Sequence, residues 1–366
     1  MRAHLDFCLA LHRQLAPAVD RSFCWSPYSV ASALGLTATA AGGATRRELT
    51  AALRSSETGE DLVGLLTDAG ELDATARSEE PVLAVANSLW AHEELPINDS
   101  YRKMLRNWPG SAVKNAPFRA DPDRARRQIN ADVSETTREL IPELLEPGAV
   151  DQDTVAAVVN ALYLTTAWRE AFDEQNTEPR AFHTPDGRRD VDTMRGTHWL
   201  GYAAREGWQV VTLPATGGVD AVVLLPDTSL SSAEAGLAPG EITALLERVE
   251  VRRVELLLPR FEVTGGGELR QPLAALGART LFTEQADFSA LTPQPMQIST
   301  IVHESLLRAH EKGLEGAAAT AALMMPTSAA PMPEPVRVEV NRPFLLLIRH
   351  RDTGALYFLA RVVDPS

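Results

Sequence analysis

Residues 313–335 read GLEGAAATAALMMPTSAAPMPEP and carry no charged side chain between Glu315 and Glu334. Residues 313–325 contain no proline and mostly small side chains, whereas 326–335 contain several prolines. A central β-strand excludes proline because each one removes a donor from the hydrogen-bond ladder. The composition therefore predicts an exposed loop whose first half can become a buried strand and whose second half cannot. This asymmetry suits a loop that is cut near the junction and then inserts its first half into a sheet.

The whole chain has the composition of an acidic globular protein. Its 366 residues are 45% hydrophobic and carry a formal net charge of −14, with a pI near 5.1. This charge disfavours nucleic acid and anionic membranes as partners, and no run reaches the ~18 apolar residues of a membrane span. Asp6, His12 and Arg13 interrupt any apolar core in residues 1–16. We therefore expect no signal peptide and a cytoplasmic location, or a secreted one if the chain is a mature form.

Cysteine and lysine are both rare in this chain. Cys8 and Cys24 stand among apolar neighbours, which predicts buried thiols and leaves open a disulfide between them. Lysine occurs at Lys103, Lys114 and Lys312, whereas arginine and alanine abound. We interpret this usage as a GC-rich coding bias without consequence for mechanism.

Helical signals dominate the first half of the chain. Ser26 and Pro27 provide an N-cap and a first-turn proline for one of these helices. Helices are predicted at residues 3–15, 27–40, 45–53, 61–70, 99–108 and 122–140.

Strand signals dominate the second half. Residues 155–164 form a near-continuous apolar run, which predicts a strand buried on both faces. Helices followed by strands, with no repeat and no linker, predict a single α+β domain over residues 1–366. Strands are predicted at 23–25, 82–90, 155–164, 209–213, 219–225, 254–258, 261–263, 298–311, 344–349 and 355–363, with one more helix at 269–276.

Catalytic and metal-binding motifs are missing from the sequence. It contains no nucleophile elbow, phosphate-binding loop, dinucleotide fingerprint or C-x-x-C pair. His303-Glu304 superficially matches the start of a zinc motif, but the next histidine, His310, stands too far along. On a strand, the two histidines also point to opposite faces. We therefore expect neither an enzyme nor a metal or other cofactor.

Six segments stand out when they are taken in order: 23–34 (FCWSPYSVASAL), 158–172 (VVNALYLTTAWREAF), 258–261 (LPRF), 286–289 (ADFS), 341–344 (NRPF) and 358–365 (FLARVVDP). Together they resemble the serpins, a family of serine protease inhibitors, and we expect a prokaryotic, bacterial member that inhibits proteases. The resemblance covers nearly the whole chain and includes residues 303–313, which lead into the special loop. It implies the serpin fold: N-terminal helices around a large central β-sheet, further sheets and an exposed reactive centre loop at about 313–335.

The resemblance implies a suicide-substrate mechanism. A serine protease attacks the loop and is acylated by it, and the freed first half then inserts into the central sheet and carries the covalently bound protease along. Residues 313–327 span roughly 46 Å as a strand. A compact chain of this length has a diameter of about 50 Å. The inserted loop is therefore long enough to carry the protease from one pole to the other, and we expect a monomer with no further partner.

The register of the family places the scissile bond between Thr327 and Ser328. Leu323, Met324 and Met325 are alternatives, because the second half of the loop is longer than in compact family members. Threonine favours an elastase-like protease, and leucine or methionine favours a chymotrypsin-like one. The absence of nearby arginine or lysine disfavours a trypsin-like target.

The hinge residues decide between two functions. Small uncharged side chains let a strand enter a packed sheet without overpacking. Leu314 stands where the family usually has threonine or serine, and Gly316 stands where it usually has alanine. These departures favour the alternative, a non-inhibitory serpin that acts as a binding protein or chaperone. The hinge comprises Gly313, Leu314, Glu315, Gly316, Ala317, Ala318, Ala319 and Thr320.

The resemblance assigns roles to two further groups of residues. Trp168, Arg260 and Glu311 match the region where insertion begins, and we expect an ion pair between Arg260 and Glu311. The alternative for Trp168 is an ordinary core position. The second group matches the polar cluster at which the central sheet must part, and it comprises Ser26, Ser29, Asn160 and His303. Helix capping together with a hydrogen-bonded core histidine would explain the same residues.

Overall fold

The computed structural model describes residues 2–16, 18–73, 81–105, 111–314 and 333–366. Within these ranges the helices are α1 (Arg2–Leu15), α2 (Pro27–Ala40), α3 (Gly43–Ala52), α4 (Glu60–Gly70), α5 (Asp99–Leu105), α6 (Pro122–Thr136), α7 (Leu230–Gly236), α8 (Pro239–Glu247) and α9 (Arg270–Ala275). Single 3-10 turns occur at Glu174–Asn176 and Thr280–Phe282.

The strands confirm a mixed α+β architecture. They are β1 (Phe23–Trp25), β2 (Val82–His92), β3 (Ser111–Ala116), β4 (Ala156–Ala167), β5 (Glu178–Thr184), β6 (Gly187–Arg205), β7 (Trp208–Pro214), β8 (Val219–Pro226), β9 (Glu250–Pro259), β10 (Phe261–Glu268), β11 (Thr300–His310), β12 (Gly313–Leu314), β13 (Val336–Glu339), β14 (Phe344–His350) and β15 (Leu356–Val362).

Two sheets organise the described residues. The central sheet has six strands in the order β10-β11-β12-β4-β2-β3, and β11 also pairs directly with β4. The second sheet has nine strands, in the order β1-β15-β14-β8-β7-β6-β9-β13 with β5 beside β6. Helix α2 packs on one face of the central sheet and helix α6 on the other.

Coverage of both faces explains the apolar run in β4. Val158 belongs to the main hydrophobic core, whereas its neighbour Val159 belongs to a second core with Ile129 and Val133 of α6. Because successive side chains of a strand point to opposite faces, both faces must be apolar when both are covered. The prediction of a doubly buried strand at 155–164 is confirmed by this arrangement.

Most element boundaries agree with the predictions, and the main exceptions have local causes. Ser26 accepts a hydrogen bond from the backbone N–H of Ser29 at 3.1 Å, which confirms the predicted cap of α2. Helix α6 ends at Thr136 and not at residue 140, because Arg138 and Glu139 adopt positive φ angles of 51° and 65°. The helix predicted at 99–108 is present as α5 (Asp99–Leu105), and residues 106–108 lie outside the described ranges.

Several elements were not predicted: strands β3, β5, β6, β12 and β13 and helices α7 and α8. Strand β6 is long, but its sequence, GRRDVDTMRGTHWLGYAAR, mixes charged and glycine residues with isolated apolar ones. It pairs with β5 over residues 187–193, with β9 over 193–202 and with β7 over 201–205, and its buried positions change parity along its length. Neither strict alternation nor an apolar run therefore marks it in the sequence.

Two smaller predictions concern cysteines and membrane helices. Cys8 and Cys24 are both fully buried free thiols, which confirms the buried thiols and answers the open question of a disulfide. Among the described helices, none is long and apolar enough to cross a membrane.

Candidate functional site

A slot separates the two middle strands of the central sheet. Strands β4 and β11 pair directly only at one end, where residues 300–304 run parallel to 157–161. We call this end, where the strands pair, the lower end of the slot. Beyond it, residues 305–308 of β11 and 162–165 of β4 form no ladder with each other in the described structure. Both strands keep their outer partners, β2 and β10 respectively. The slot therefore runs between two strands that are each supported from outside.

The first two hinge residues already occupy the upper end of this slot. Gly313 pairs with Ala167 of β4 and with His310 of β11, and Leu314 pairs with the adjacent residues of both strands. A Cβ atom on Gly313 would lie 2.1 Å from the carbonyl oxygen of Thr166, so this close approach requires glycine. Leu314 is fully buried in the main core. The slot thus has room for the larger apolar side chain at this position.

The remaining loop predictions fall on residues outside the described ranges. These are the hinge residues Glu315, Gly316, Ala317, Ala318, Ala319 and Thr320, the proposed scissile bond Thr327–Ser328, and the alternatives Leu323, Met324 and Met325.

The lower end of the slot is joined by a buried hydrogen-bond network centred on Asn160 and His303, which are cross-strand neighbours. The Nδ1 of His303 lies 2.7 Å from Oδ1 of Asn160. The Nε2 of His303 accepts from the backbone N–H of Ser26 at 3.0 Å, which fixes the proton of the neutral ring on Nδ1. Asn160 in turn donates to the carbonyl oxygen of Ser29 at 2.7 Å. The structure therefore brings all four predicted cluster residues together.

Ser29 takes part in a different way from the other three. Its backbone carbonyl accepts from Asn160, whereas its hydroxyl is buried and has no hydrogen-bond partner among the described residues. Ser26 contributes its backbone N–H to His303 and its hydroxyl to the cap of α2. Ser26 therefore caps α2 and also joins the cluster, whose role in the parting of the sheet stays a prediction.

Sequence reasoning missed two members of this network. Asn87 of β2 lies opposite Asn160, accepts a hydrogen bond from its amide and donates to Ser32 at 2.7 Å. Ser305 donates to Nε2 of His303 at 2.8 Å from the same face of β11. The signal for Asn87 was available, because an asparagine inside the apolar run VLAVANSLW must find a partner when buried.

Burial keeps His303 neutral. The ring is fully buried, and desolvation lowers the pKa of His303 to about 3, against a smaller opposing effect of the hydrogen bond with Asn160. A proton on Nε2 would also face the N–H of Ser26, which is itself a donor. The lower end is therefore held by uncharged hydrogen bonds, in which every described atom of His303 and Asn160 that can bond has a partner.

The upper end is held by a different set of contacts around Trp168, which is buried. Its indole N–H donates to the carbonyl oxygen of His310 at 2.8 Å, and its backbone N–H donates to that of Lys312 at 2.9 Å. Phe172 adds a backbone hydrogen bond to Glu311 at 2.9 Å. The segment after β4 is thus hydrogen-bonded to the residues just before the hinge.

The predicted ion pair lies at this upper end. Arg260 donates to Oε1 of Glu311 at 2.6 Å, and Thr177, which sequence reasoning missed, donates to the same oxygen. Burial opposes ionisation of Glu311, but the donors Arg260 and Thr177 outweigh it and hold the pKa of the carboxyl below its usual value. The Glu311 side chain is 4% exposed and that of Arg260 42%, so the pair is half-buried.

Metal chemistry finds no support in the described residues. No group of histidine, cysteine, aspartate and glutamate side chains among them is arranged to hold a metal ion. His303 is fully buried, whereas His310 lies half-buried on the other face of β11, as the strand alternation predicts.

Comparisons with known proteins agree with this architecture. The family model described as "Serpin (serine protease inhibitor)" matches residues 2–365. Iripin-2 of Ixodes ricinus is 31% identical over 379 residues, which cover 99% of this chain and 92% of that protein. Alpha-1-antichymotrypsin of Pongo abelii is 30% identical over 373 residues, covering 99% and 87% respectively.

A solved structure shares the fold at lower identity. The complex of human thyroxine-binding globulin with thyroxine superposes with a TM-score of 0.87 and 22% identity, over 100% of this chain and 98% of that one. The two sequence relatives are tick and mammalian proteins, so they give no support to the expected bacterial source. The family model and both relatives extend over essentially the whole chain. The chain therefore belongs to the serpin family, whose family model is described as serine protease inhibitor.

Proposed function

We propose that the chain is an irreversible, suicide-substrate inhibitor of a chymotrypsin-like or elastase-like serine protease. The observation that carries the proposal is the slot between β4 and β11, with Gly313 and Leu314 seated at its upper end. A strand that continues from Leu314 along this slot would run between two strand segments, 162–165 and 305–308, that form no ladder with each other in the described structure. The family membership and the relative named for chymotrypsin inhibition support the class of target.

The chemical step takes place on the loop. The hydroxyl oxygen of the protease serine attacks the carbonyl carbon of Thr327, and an ester forms while the peptide bond to Ser328 breaks. The protease histidine takes the serine proton and passes it to the leaving amine of Ser328. Leu323, Met324 and Met325 are the alternative acylating residues. Hydrolysis of the ester would release active protease, so inhibition requires that insertion is faster than hydrolysis.

Insertion provides the driving force. New ladder bonds form with residues 305–308 and 162–165, and the small side chains of residues 316–322 fit between packed strands. To insert fully, the strand must also part the direct pairing of 300–304 with 157–161 and the bond between His303 and Asn160. The lower cluster therefore acts as the gate, and the contacts of Trp168, Arg260 and Glu311 mark where insertion begins.

A second candidate is a non-inhibitory serpin that binds another molecule without insertion. The departures at Leu314 and Gly316 favour it, and glycine inside a strand costs about 0.5–1 kcal/mol relative to alanine. The structural neighbour that binds thyroxine is a precedent for binding by this fold. Burial of Leu314 in the slot weighs against this candidate, because the larger side chain does not keep the hinge out.

The test is incubation with chymotrypsin and with elastase, followed by denaturing gels and mass spectrometry. Inhibition predicts a covalent species at the summed mass and a released peptide whose first residue identifies the scissile bond. Loop cleavage that yields only free protease and cleaved chain with every protease of these specificities would instead support the non-inhibitory candidate.

A further inference from the structure

A short segment at the upper end of the slot joins the two strands that line it. This bridging segment, residues 168–172, follows β4 directly and is hydrogen-bonded to residues 310–312 at the end of β11. Trp168 bonds to the carbonyl oxygens of the first and last of these three residues, and the backbone N–H of Phe172 bonds to that of the middle one. Because residues 310–312 lead directly into Gly313, whatever fixes the bridging segment also fixes the point from which the hinge starts.

A histidine of the second sheet packs against the end of this segment. The ring of His198, in β6, meets the ring of Phe172 edge-on, with centroids 5.4 Å apart and an interplanar angle of 84°. Edge-to-face contacts of this kind add to the stabilisation that burial of the rings already provides. Phe172 belongs to the main core, and His198 is paired with Val254 of β9, so the contact joins the bridging segment to a rigid part of the second sheet.

The same histidine is hydrogen-bonded to the middle of the bridging segment. Its Nδ1 lies 3.0 Å from Oε2 of Glu170. A carboxylate oxygen only accepts, so Nδ1 carries the proton and donates. The other ring nitrogen, Nε2, is buried and has no hydrogen-bond partner among the described residues. Within this part of the chain, the bond to Glu170 therefore fixes the orientation of the ring.

Gly196 makes room for the ring on the same strand. A Cβ atom at this position would lie 2.1 Å from Nε2 of His198 and 3.1 Å from Cδ1 of Phe172. Any other residue would therefore push the imidazole away from Phe172, because packed interiors leave no space for an extra side chain. The sequence Gly196-Thr197-His198 thus places an imidazole ring where it contacts both Glu170 and Phe172.

We propose that His198 is a positioning residue for insertion of the hinge. It holds Glu170 and Phe172 against the second sheet, and through them it fixes the backbone of residues 310–312, from which Gly313 enters the slot. The inference rests on the proposed function, since it names a residue that makes the same insertion efficient. Ordering a backbone segment costs conformational entropy. A segment that is already ordered lets insertion start sooner after acylation, before the ester is hydrolysed.

The experiment measures the ratio of free cleaved chain to covalent complex after reaction with chymotrypsin and with elastase. This ratio reports the competition between hydrolysis and insertion, whereas a residue that only stabilises the fold changes the melting temperature and leaves the ratio unchanged. The variants are His198→Ala, Glu170→Ala and Glu170→Gln, which keeps an acceptor oxygen. Thr197→Ala, at an exposed position of the same strand, is the matched control. Hydrogen exchange of the Phe172 backbone N–H is measured on each chain without protease.

We expect His198→Ala to raise the ratio about fivefold, which corresponds to ~1 kcal/mol, and to speed hydrogen exchange at Phe172. Glu170→Ala should have a smaller effect in the same direction, whereas Glu170→Gln and Thr197→Ala should match the parent chain.

Three results would overturn the inference. An unchanged ratio in His198→Ala, with a lower melting temperature, would mean that His198 only stabilises the fold. A lower ratio would mean that the contact holds the slot closed and does not aid insertion. Unchanged hydrogen exchange at Phe172 in His198→Ala would show that His198 does not hold the bridging segment, whether or not a complex forms. Absence of covalent complex from the parent chain would instead overturn the proposed function.

Discussion

The two ends of the slot between β4 and β11 are held by different chemistry. The upper end relies on backbone hydrogen bonds to the chain before the hinge and on a half-buried ion pair between Arg260 and Glu311. The lower end relies on an uncharged, fully buried network centred on Asn160 and His303. Half-exposed ionic contacts are weak and exchange with water, whereas a buried network is costly to break and specific in geometry.

Under the proposed mechanism, this difference places the barrier to insertion at the lower end of the slot. A strand that enters at the top meets partners already separated by Gly313 and Leu314. A strand that reaches the bottom must part residues 300–304 from 157–161. Substitutions at the upper end should therefore decide whether insertion starts, and substitutions at the lower end should decide how stable the closed sheet is.

The largest effect is expected from Leu314→Glu. A carboxylate at this fully buried position would be unpaired, and burying it costs several kcal/mol. We expect the variant to lose covalent inhibition while its loop is still cleaved at the parent rate, as measured on denaturing gels. Leu314→Val is the control and should still inhibit. Full inhibition by Leu314→Glu would show that position 314 need not be buried.

A large loss of stability is expected from Asn160→Ala. The change leaves the Nδ1–H of His303, the carbonyl oxygen of Ser29 and the amide oxygen of Asn87 without their shared partner. Because a buried unsatisfied group costs about 1–3 kcal/mol, we expect the free energy of unfolding to fall by ~2–4 kcal/mol in urea titrations. Ser88→Ala, on the adjacent strand, should change it by less than about 1 kcal/mol. Equal effects of the two substitutions would refute the special role of the network.

A pH effect of intermediate size is expected from His303. Its folded pKa of about 3 lies below the ordinary histidine value, so the unfolded chain binds the proton first and stability falls as the pH drops below about 6.5. Between pH 6.5 and 5 this residue should cost about 2 kcal/mol, at 1.36 kcal/mol per pH unit. Comparison with His303→Gln over the same range should show a shallower loss. Parallel curves for the two proteins would mean that His303 does not titrate on unfolding.

The smallest effect is expected from Arg260→Ala. Because the Arg260 side chain is 42% exposed, solvent screens the pair, and we expect a loss of only ~1 kcal/mol. Among the described residues, Thr177 would remain as the side-chain donor to Glu311. The matched control is Arg308→Ala, whose pair with Glu262 on the same sheet is exposed at both ends. A loss as large as that of Asn160→Ala would contradict the contrast between the two ends.

Local patterns in the sequence predicted much of this molecule. The doubly buried strand β4, the cap at Ser26 and the helix-first order follow from apolar runs, capping residues and prolines. The motifs between Phe23 and Pro365 indicated the family, and with it the partners Asn160 and His303. Features that depend on one element and its immediate neighbours could therefore be predicted from the sequence.

Features that depend on the register between distant strands could not be predicted from the sequence. Asn87 joins the lower cluster because β2 is placed opposite β4 in one register out of several, although its polarity in an apolar strand was a usable signal. Thr177 reaches Glu311 from a 134-residue separation along the chain, and nothing local marks it. The missing ladder between 305–308 and 162–165 is likewise a property of the assembled sheet, and no sequence period encodes it.

Thermal unfolding of the loop-cleaved protein tests the central claim most directly. Limited proteolysis within residues 315–332, followed by calorimetry, compares the cleaved chain with the intact one. If the freed segment fills the slot, the cleaved chain gains ladder bonds and buried apolar contacts. Its melting temperature should therefore rise, by about 1–2 °C for each 1 kcal/mol gained in a chain of this size. An unchanged or lower melting temperature after clean cleavage would contradict insertion.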